Sequence, residues 1–276
     1  MREKILNLPS ISDILKEHGF FTKKNLGQNF IFDLNVTNKI VRYAEPIQDN
    51  IVVEIGGGAG SLTRSILLSN PKKLYVIEKD ERCLPILQQL VEIADGKLEI
   101  INEDALNFDF RLLGKNLKVI ANLPYNIGTE LLFKWYNNIN IFDSLTLMYQ
   151  KEVAERICAN TNDEQYSRIS VISYILCKCE KLFDVPPSVF FPQPKVYSSV
   201  ISLKPHEKPL YDADIPKMKK VVKQAFLMRR KTIKNAVEPI FNDKAEEILK
   251  AANIDLKKRP EEISPEEYVR ISRALN

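Results

Sequence analysis

Long apolar runs are missing from this chain of 276 residues. None approaches the roughly 18 residues that span a bilayer, so the sequence predicts no transmembrane helix. Residues 1–20 interleave Arg2, Glu3, Lys4, Asp13, Lys16 and Glu17 with the apolar positions, which excludes a signal-peptide core there. Cysteine is scarce. Cys83, Cys158, Cys177 and Cys179 are too few for a disulfide framework at this length, and point to a reducing cytosol. Histidine is scarcer: His18 and His206 lie far apart in sequence, and Cys177-x-Cys179 lacks the usual spacing of a zinc ligand pair, so no metal is expected. The chain also has no repeat and no low-complexity tract. What is left is 45% hydrophobic and 28% charged, long enough for an α/β domain and a smaller second one.

The net charge of +4 is unevenly spread. Residues 208–276 carry 16 basic against 11 acidic side chains, and residues 1–207 carry 24 against 25. Within 217–234, Lys217, Lys219, Lys220, Lys223, Arg229, Arg230, Lys231 and Lys234 occur without one acid. Most charge runs are solvated helix faces. A single-sign patch, however, also attracts a phosphate backbone.

The middle of the chain alternates short apolar runs (51–55, 74–78, 98–101, 117–121 and 144–149) with segments of helix length such as 81–93 and 129–138. That alternation predicts a parallel sheet with helices on both faces. The runs 179–185 and 197–203, around a proline-broken loop, read as a late antiparallel pair at one sheet edge. Beyond Pro205, Pro209 and Pro216 the pattern is helical, and Ser264-Pro265-Glu266-Glu267 has the form of a capping box. The domain boundary is expected near 205–212.

Val52-Val53-Glu54-Ile55-Gly56-Gly57-Gly58-Ala59-Gly60-Ser61 runs from strand through loop to helix. Ser61 breaks the dinucleotide pattern G-x-G-x-x-G. The spacing E-x-G-x-G-x-G instead resembles the first motif of S-adenosylmethionine-dependent methyltransferases. Glu78, 22 residues after Gly56, ends the second strand, where a carboxylate is placed to accept from both hydroxyls of a ribose. Asp104 follows the third, where it is placed to accept from an adenine amine. Each acid alone would also serve as a helix N-cap; the glycine motif and the two acids, in order at three successive strand ends, favour a nucleoside cofactor.

Asn122-Leu123-Pro124-Tyr125 closes the fourth strand and resembles the N-[LIP]-P-[YF] motif of enzymes that methylate the exocyclic amine of adenine. The residue types suit that chemistry. An aniline-like nitrogen delocalises its lone pair into the ring and is a poor nucleophile. If the Asn122 side-chain oxygen and the Leu123 carbonyl accept its two N–H bonds, the nitrogen pyramidalises and the lone pair turns outward. Pro124 stiffens the turn, and Tyr125 offers a face for the base.

Further segments extend the likeness. Lys23-Lys24-Asn25-Leu26-Gly27-Gln28-Asn29-Phe30-Ile31, Gln150-Lys151-Glu152-Val153-Ala154-Glu155-Arg156, the P-P-x-x-F-x-P-x-P-x-V-x-S pattern over 186–198, and Arg229-Arg230-Lys231-Thr232-Ile233-Lys234-Asn235 occur in order. Over roughly 20–275 the chain thus resembles the small-subunit ribosomal RNA adenine dimethyltransferases. The resemblance implies a Rossmann-like α/β domain at 21–207, with a mostly parallel seven-stranded sheet, a helical RNA-binding domain at 208–276, and a variable extension at 1–20. It implies S-adenosylmethionine as cofactor, bound by Asn29, Ile31, Gly56, Gly58, Glu78, Asp104 and Asn122. Catalysis would fall to Asn122, Leu123, Pro124 and Tyr125, with Phe190 facing Tyr125 across the flipped base. Lys220, Lys223, Arg229, Arg230, Lys231 and Lys234 would contact RNA, and the partner would be small-subunit rRNA in an assembling particle met by a cytoplasmic monomer. Three positions depart from the family pattern: Gly57 stands for proline, Ile31 for leucine and Ser167 for glycine. A large-subunit rRNA dimethylase of the antibiotic-resistance type and a non-catalytic assembly factor are the alternatives. The 186–198 loop and 229–235 segment favour the small-subunit type.

Overall fold

The structure is a computed structural model that describes residues 1–19 and 29–275. The predicted motif segment 23–28 lies outside the described residues, whereas Asn29, Phe30 and Ile31 lie within them.

The five apolar runs of the middle region form the parallel strands β2 (Ile51–Ile55), β3 (Lys73–Ile77), β4 (Leu98–Ile101), β5 (Leu117–Asn122) and β6 (Phe142–Gln150). The β6 side chains are buried along nearly their whole length, which is why the sequence reads as a continuous apolar run rather than an alternation. Strands β7 (Cys177–Val185) and β9 (Ser198–Pro205) complete a sheet of order β4-β3-β2-β5-β6-β9-β7, with β9 antiparallel to β6. The order reverses between β2 and β5, and open α/β sheets place their ligands at such a switch point. Helices α3 (Leu34–Ala44), α4 (Ser61–Leu68), α5 (Leu84–Ile93) and α6 (Gly128–Trp135) connect the strands. A two-stranded ribbon, β1 (Phe30–Ile31) with β8 (Phe190–Phe191), was not foreseen; two residues carry no periodicity to read.

The chain divides into two compact units, Met1–Ala154 with Glu180–Pro205, and Glu155–Cys179 with His206–Asn276. Two changes follow for the expected layout. The described part of the variable extension, residues 1–19, is helical and packed onto the first unit. Helix α1 (Arg2–Leu6) buries Ile5 in the main core, and α2 (Ile11–Glu17) packs Ile11, Ile14 and Leu15 against Phe30, Ala59 and Ile86. Arg64 Nη1 donates to the Pro9 carbonyl at 2.8 Å, and the Met1 ammonium lies 3.2 Å from Asp95.

The second change concerns 155–179, which a boundary near 208 assigned to the first domain. Its helix α8 (Arg168–Leu176) is buried on nearly every face and needs cover all round. The Tyr166 hydroxyl donates to the Ile263 carbonyl at 3.0 Å, and the Phe226 ring lies 6.0 Å from that of Tyr166 and 6.1 Å from that of Tyr268. The remaining helices of this unit are α9 (Ile215–Leu227), α10 (Ile233–Phe241), α11 (Ala245–Ala251) and α12 (Pro265–Ser272). The capping box forms as expected: the Ser264 side chain accepts from the Glu267 N–H, and the Ser264 N–H donates to the Glu267 carboxylate at 2.7 Å.

Candidate active site

The carboxyl ends of β2, β3, β4 and β5 surround one cavity of about 190 Å³, room for far more than a few waters. Its wall includes Asn29, Ile31, Gly56, Gly58, Glu78, Asp104 and Asn122, so every residue expected to hold the cofactor converges there.

The turn after β2 brings backbone into that wall. Gly56 and Gly58 adopt φ of +74° and +53°, conformations costly for side-chain-bearing residues. Gly57 has an ordinary φ but no room: a Cβ there would sit 2.5 Å from Val76 Cγ1. Its departure from the family's proline is therefore matched by the packing of Val76 and Leu87 beneath it, not a simple loosening. A Cβ on Gly58 would lie 2.7 Å from Phe30 Cε1, so Phe30 seals the far side of the loop.

Glu78 is buried, and burial raises its pKa. Its carboxylate accepts from the Gly58 N–H at 2.9 Å and the Asp80 N–H at 2.7 Å, which ties it to the glycine loop. Each carboxylate oxygen retains acceptor capacity for ribose hydroxyls. Asp104 accepts from the Leu106 N–H at 3.0 Å and pairs with Lys79 at 2.6 Å, the contact that chiefly holds its pKa down. The acid closes a turn and is not a helix N-cap, since no helix starts at 105, and it lines the cavity wall.

Sequence reasoning gave no role to Glu54, the first letter of the glycine motif, and passed over Lys134. Glu54 is 1% exposed, lines the cavity, and its Oε2 has no hydrogen-bond partner among the described residues. Burial, with the Glu78 charge nearby, pushes its carboxyl up to about 8. An acid inside an otherwise apolar strand was the available signal. Lys134 on α6 donates to the carbonyls of Leu106 and Phe108 at 2.7 Å each, fixing the loop that carries Asp104.

The tetrapeptide closes β5 as expected, with Asn122 opposite Met148 of β6. Asn122 Nδ2 donates to the Asn29 carbonyl at 3.0 Å. A carbonyl oxygen can only accept, so the amide cannot turn over, and Oδ1 is its remaining acceptor. The Pro124 carbonyl is taken by the Ile127 and Gly128 N–H groups, both at 3.2 Å. The Tyr125 hydroxyl lies 2.8 Å from Ser198 Oγ, and burial raises its pKa. Phe190, expected across the base from Tyr125, is not among the residues of the cofactor cavity; in this structure it is 4% exposed and belongs to the core cluster containing Ile31, Val185 and Val200.

In the second unit the basic segment is less uniform in space than in sequence. Lys234 pairs with Glu246 at 2.6 Å, and Arg229 lies 3.7 Å from Glu261 while donating to the Glu164 carbonyl. Lys220, Lys223, Arg230 and Lys231 are exposed.

The residues present fit S-adenosylmethionine: paired acceptors at β3 for a ribose, an orphaned buried carboxylate for a cationic amine, and side-chain-free backbone between them. With the switch-point cavity and the amide at the end of β5, they define a methyltransferase that uses S-adenosylmethionine. The family is narrower. The chain belongs to the ribosomal RNA adenine dimethylase family, whose model matches residues 19–276. It is 43% identical over 274 residues to the ribosomal RNA small subunit methyltransferase A of Agrobacterium fabrum, covering 97% of this chain and 98% of that protein. It is 45% identical over 255 residues to the protein of the same name from Ehrlichia chaffeensis, covering 92% and 97%. Among solved structures, a dimethyladenosine transferase from Plasmodium falciparum is similar with a TM-score of 0.75 and 26% identity, over 88% of this chain and 95% of that one.

Proposed function

We propose that the chain dimethylates the exocyclic amines of two adjacent adenines near the 3′ end of small-subunit rRNA, within an assembling small ribosomal subunit, as a cytoplasmic monomer. Full-length likeness to proteins named for the small subunit supports that substrate over the large-subunit type. When bound, S-adenosylmethionine would supply an electrophilic methyl group on a sulfonium. Glu78 would hold the ribose hydroxyls, Asp104 the adenine amine, and Glu54 the ammonium of the methionyl part. Gly56 and Gly58 let the backbone approach, and the backbone of Asn29 and Ile31 closes the wall.

The observation that carries the mechanism is the Asn122–Asn29 hydrogen bond. It holds Asn122 Oδ1 as an acceptor before substrate arrives. Together with the Leu123 carbonyl, that oxygen accepts the two N–H bonds of the target amine and directs its lone pair outward. Tyr125, anchored through Ser198, presents its ring to the base. Phe190, by the family likeness, is the aromatic that faces Tyr125 across the target base. No strong general base is needed, because nitrogen becomes acidic once alkylated. Catalysis is then mainly alignment, worth up to about 7–11 kcal/mol for well-held reactants.

Replacing Asn122 by Ala tests this. Single-turnover transfer should fall by well over tenfold while calorimetric cofactor affinity stays within a few-fold. Unchanged transfer would sink the lone-pair mechanism.

A further inference from the structure

Phe191, at the end of β8, and Tyr197, in the loop that leads to β9, are two aromatic side chains that this chemistry leaves unused. In the pattern P-P-x-x-F-x-P-x-P-x-V-x-S, Phe191 and Tyr197 occupy variable positions, so the shared pattern requires an aromatic at neither. Both are exposed, 54% for Phe191 and 52% for Tyr197, with Val196 between them in sequence also exposed. Phe191 is held in place. The Phe191 ring stacks on Phe32, with centroids 5.5 Å apart and planes 25° from parallel, and Phe32 rests on the cluster of Ile11, Ile14 and Phe30.

Both ends of the loop connect to the catalytic turn. At one end, Phe191 pairs in the β-ribbon with Phe30, next to the Asn29 carbonyl that holds Asn122. At the other, Ser198 follows Tyr197 and contacts the Tyr125 hydroxyl. The two rings are thus carried next to the residues that hold Asn122 and Tyr125. Residues 185–203 contain no acid, and Lys195 is exposed among them, so a phosphate backbone meets no repulsion there.

We propose that Phe191 and Tyr197 form a stacking rim for an unpaired nucleotide adjoining the target adenine. The proposal rests on the reading of the site as an RNA adenine methyltransferase. Extruding a base strips its neighbour of a stacking partner, at a cost of a few kcal/mol. An aromatic face at the rim replaces that partner. Stacking tolerates any base, so the rim adds affinity for single-stranded RNA without reading sequence.

The test uses the full chain, S-adenosylhomocysteine to prevent transfer, and an RNA hairpin with 2-aminopurine beside the target adenine. Stacking on the rim quenches the 2-aminopurine fluorescence. Phe191→Ala should lose most of the quench and bind about tenfold more weakly, within the range for loss of one base-stacking aromatic. Phe191→Trp should keep both, and Phe191→Leu, apolar without a π-face, should behave like alanine. Cofactor affinity and thermal midpoint should not move in any variant. Wild-type quench in a Phe191→Ala/Tyr197→Ala double variant would overturn the rim, as would wild-type behaviour of Phe191→Leu. Methyl transfer to undermethylated small subunits, run in parallel, separates the two readings. Transfer by the wild type together with quenching unaffected by the variants overturns the rim alone; no transfer to any rRNA overturns both.

Discussion

At the scale of single residues, the site is a set of carbonyl and carboxylate oxygens fixed in advance of their donors. Glu54 states the consequence most sharply. Its folded pKa of about 8 lies above its ordinary value of 4.5, so in the cofactor-free protein its contribution to stability is full below 4.5 and is lost as pH rises through about 8. A bound ammonium reverses the preference, because it needs the carboxylate ionised. Cofactor affinity should therefore rise with pH up to about 8 and level off above it, with release of up to one proton per cofactor bound near pH 7. Calorimetry in buffers of different ionisation enthalpy measures that proton; Glu54→Gln should abolish both it and the pH dependence. Equal proton release from the variant would place the ammonium elsewhere. Glu78, Asp104 and Asn122 were legible in the sequence because each sits at a strand end after a readable apolar run. The Asn122–Asn29 bond was not, since its partners lie 93 residues apart. Nor was Phe190's place in the core, which depends on the ribbon pairing with Ile31, far off in sequence.

Elements position those residues, and the ones that matter most are packed from behind. Gly57 shows how tightly. Gly57→Ala pushes a Cβ into Val76 and should cost about 1–3 kcal/mol of stability, as overpacking does. Val76→Ala in the same chain should restore much of it, and urea denaturation measures both. No coupling between the two substitutions would contradict the packing explanation. Helix α2 braces the same loop through Phe30. Ile14→Ala should destabilise by about 2–5 kcal/mol, the usual cost of emptying a buried aliphatic site, and should weaken cofactor binding as Phe30 loosens against Gly58. A stability loss with unaltered cofactor affinity would make α2 a cover and nothing more. The five parallel strands and the last helix were readable from apolar runs and a capping box. Ribbon β1–β8 and the allegiance of α8 were not, because both depend on which neighbour offers cover.

For the whole molecule, the proposed division of work puts cofactor and acceptor chemistry in the first unit and RNA contact in the second. The pairing seen there sharpens the account of RNA affinity. Neutralising Lys220, Lys223, Arg230 and Lys231 together should weaken particle binding and flatten its salt dependence, each lost phosphate contact lowering the slope by about 0.7–0.9. Neutralising Arg229 and Lys234, already matched by Glu261 and Glu246, should change the slope less. Cofactor affinity should be unchanged in both sets. The central claim is tested most directly by methyl transfer from labelled S-adenosylmethionine to undermethylated small ribosomal subunits, with large subunits, protein-free large-subunit rRNA and duplex DNA alongside. Label recovered as dimethyladenosine from the small subunit alone is the predicted result. Label in protein-free large-subunit rRNA, or tight small-subunit binding with no label anywhere, would contradict it.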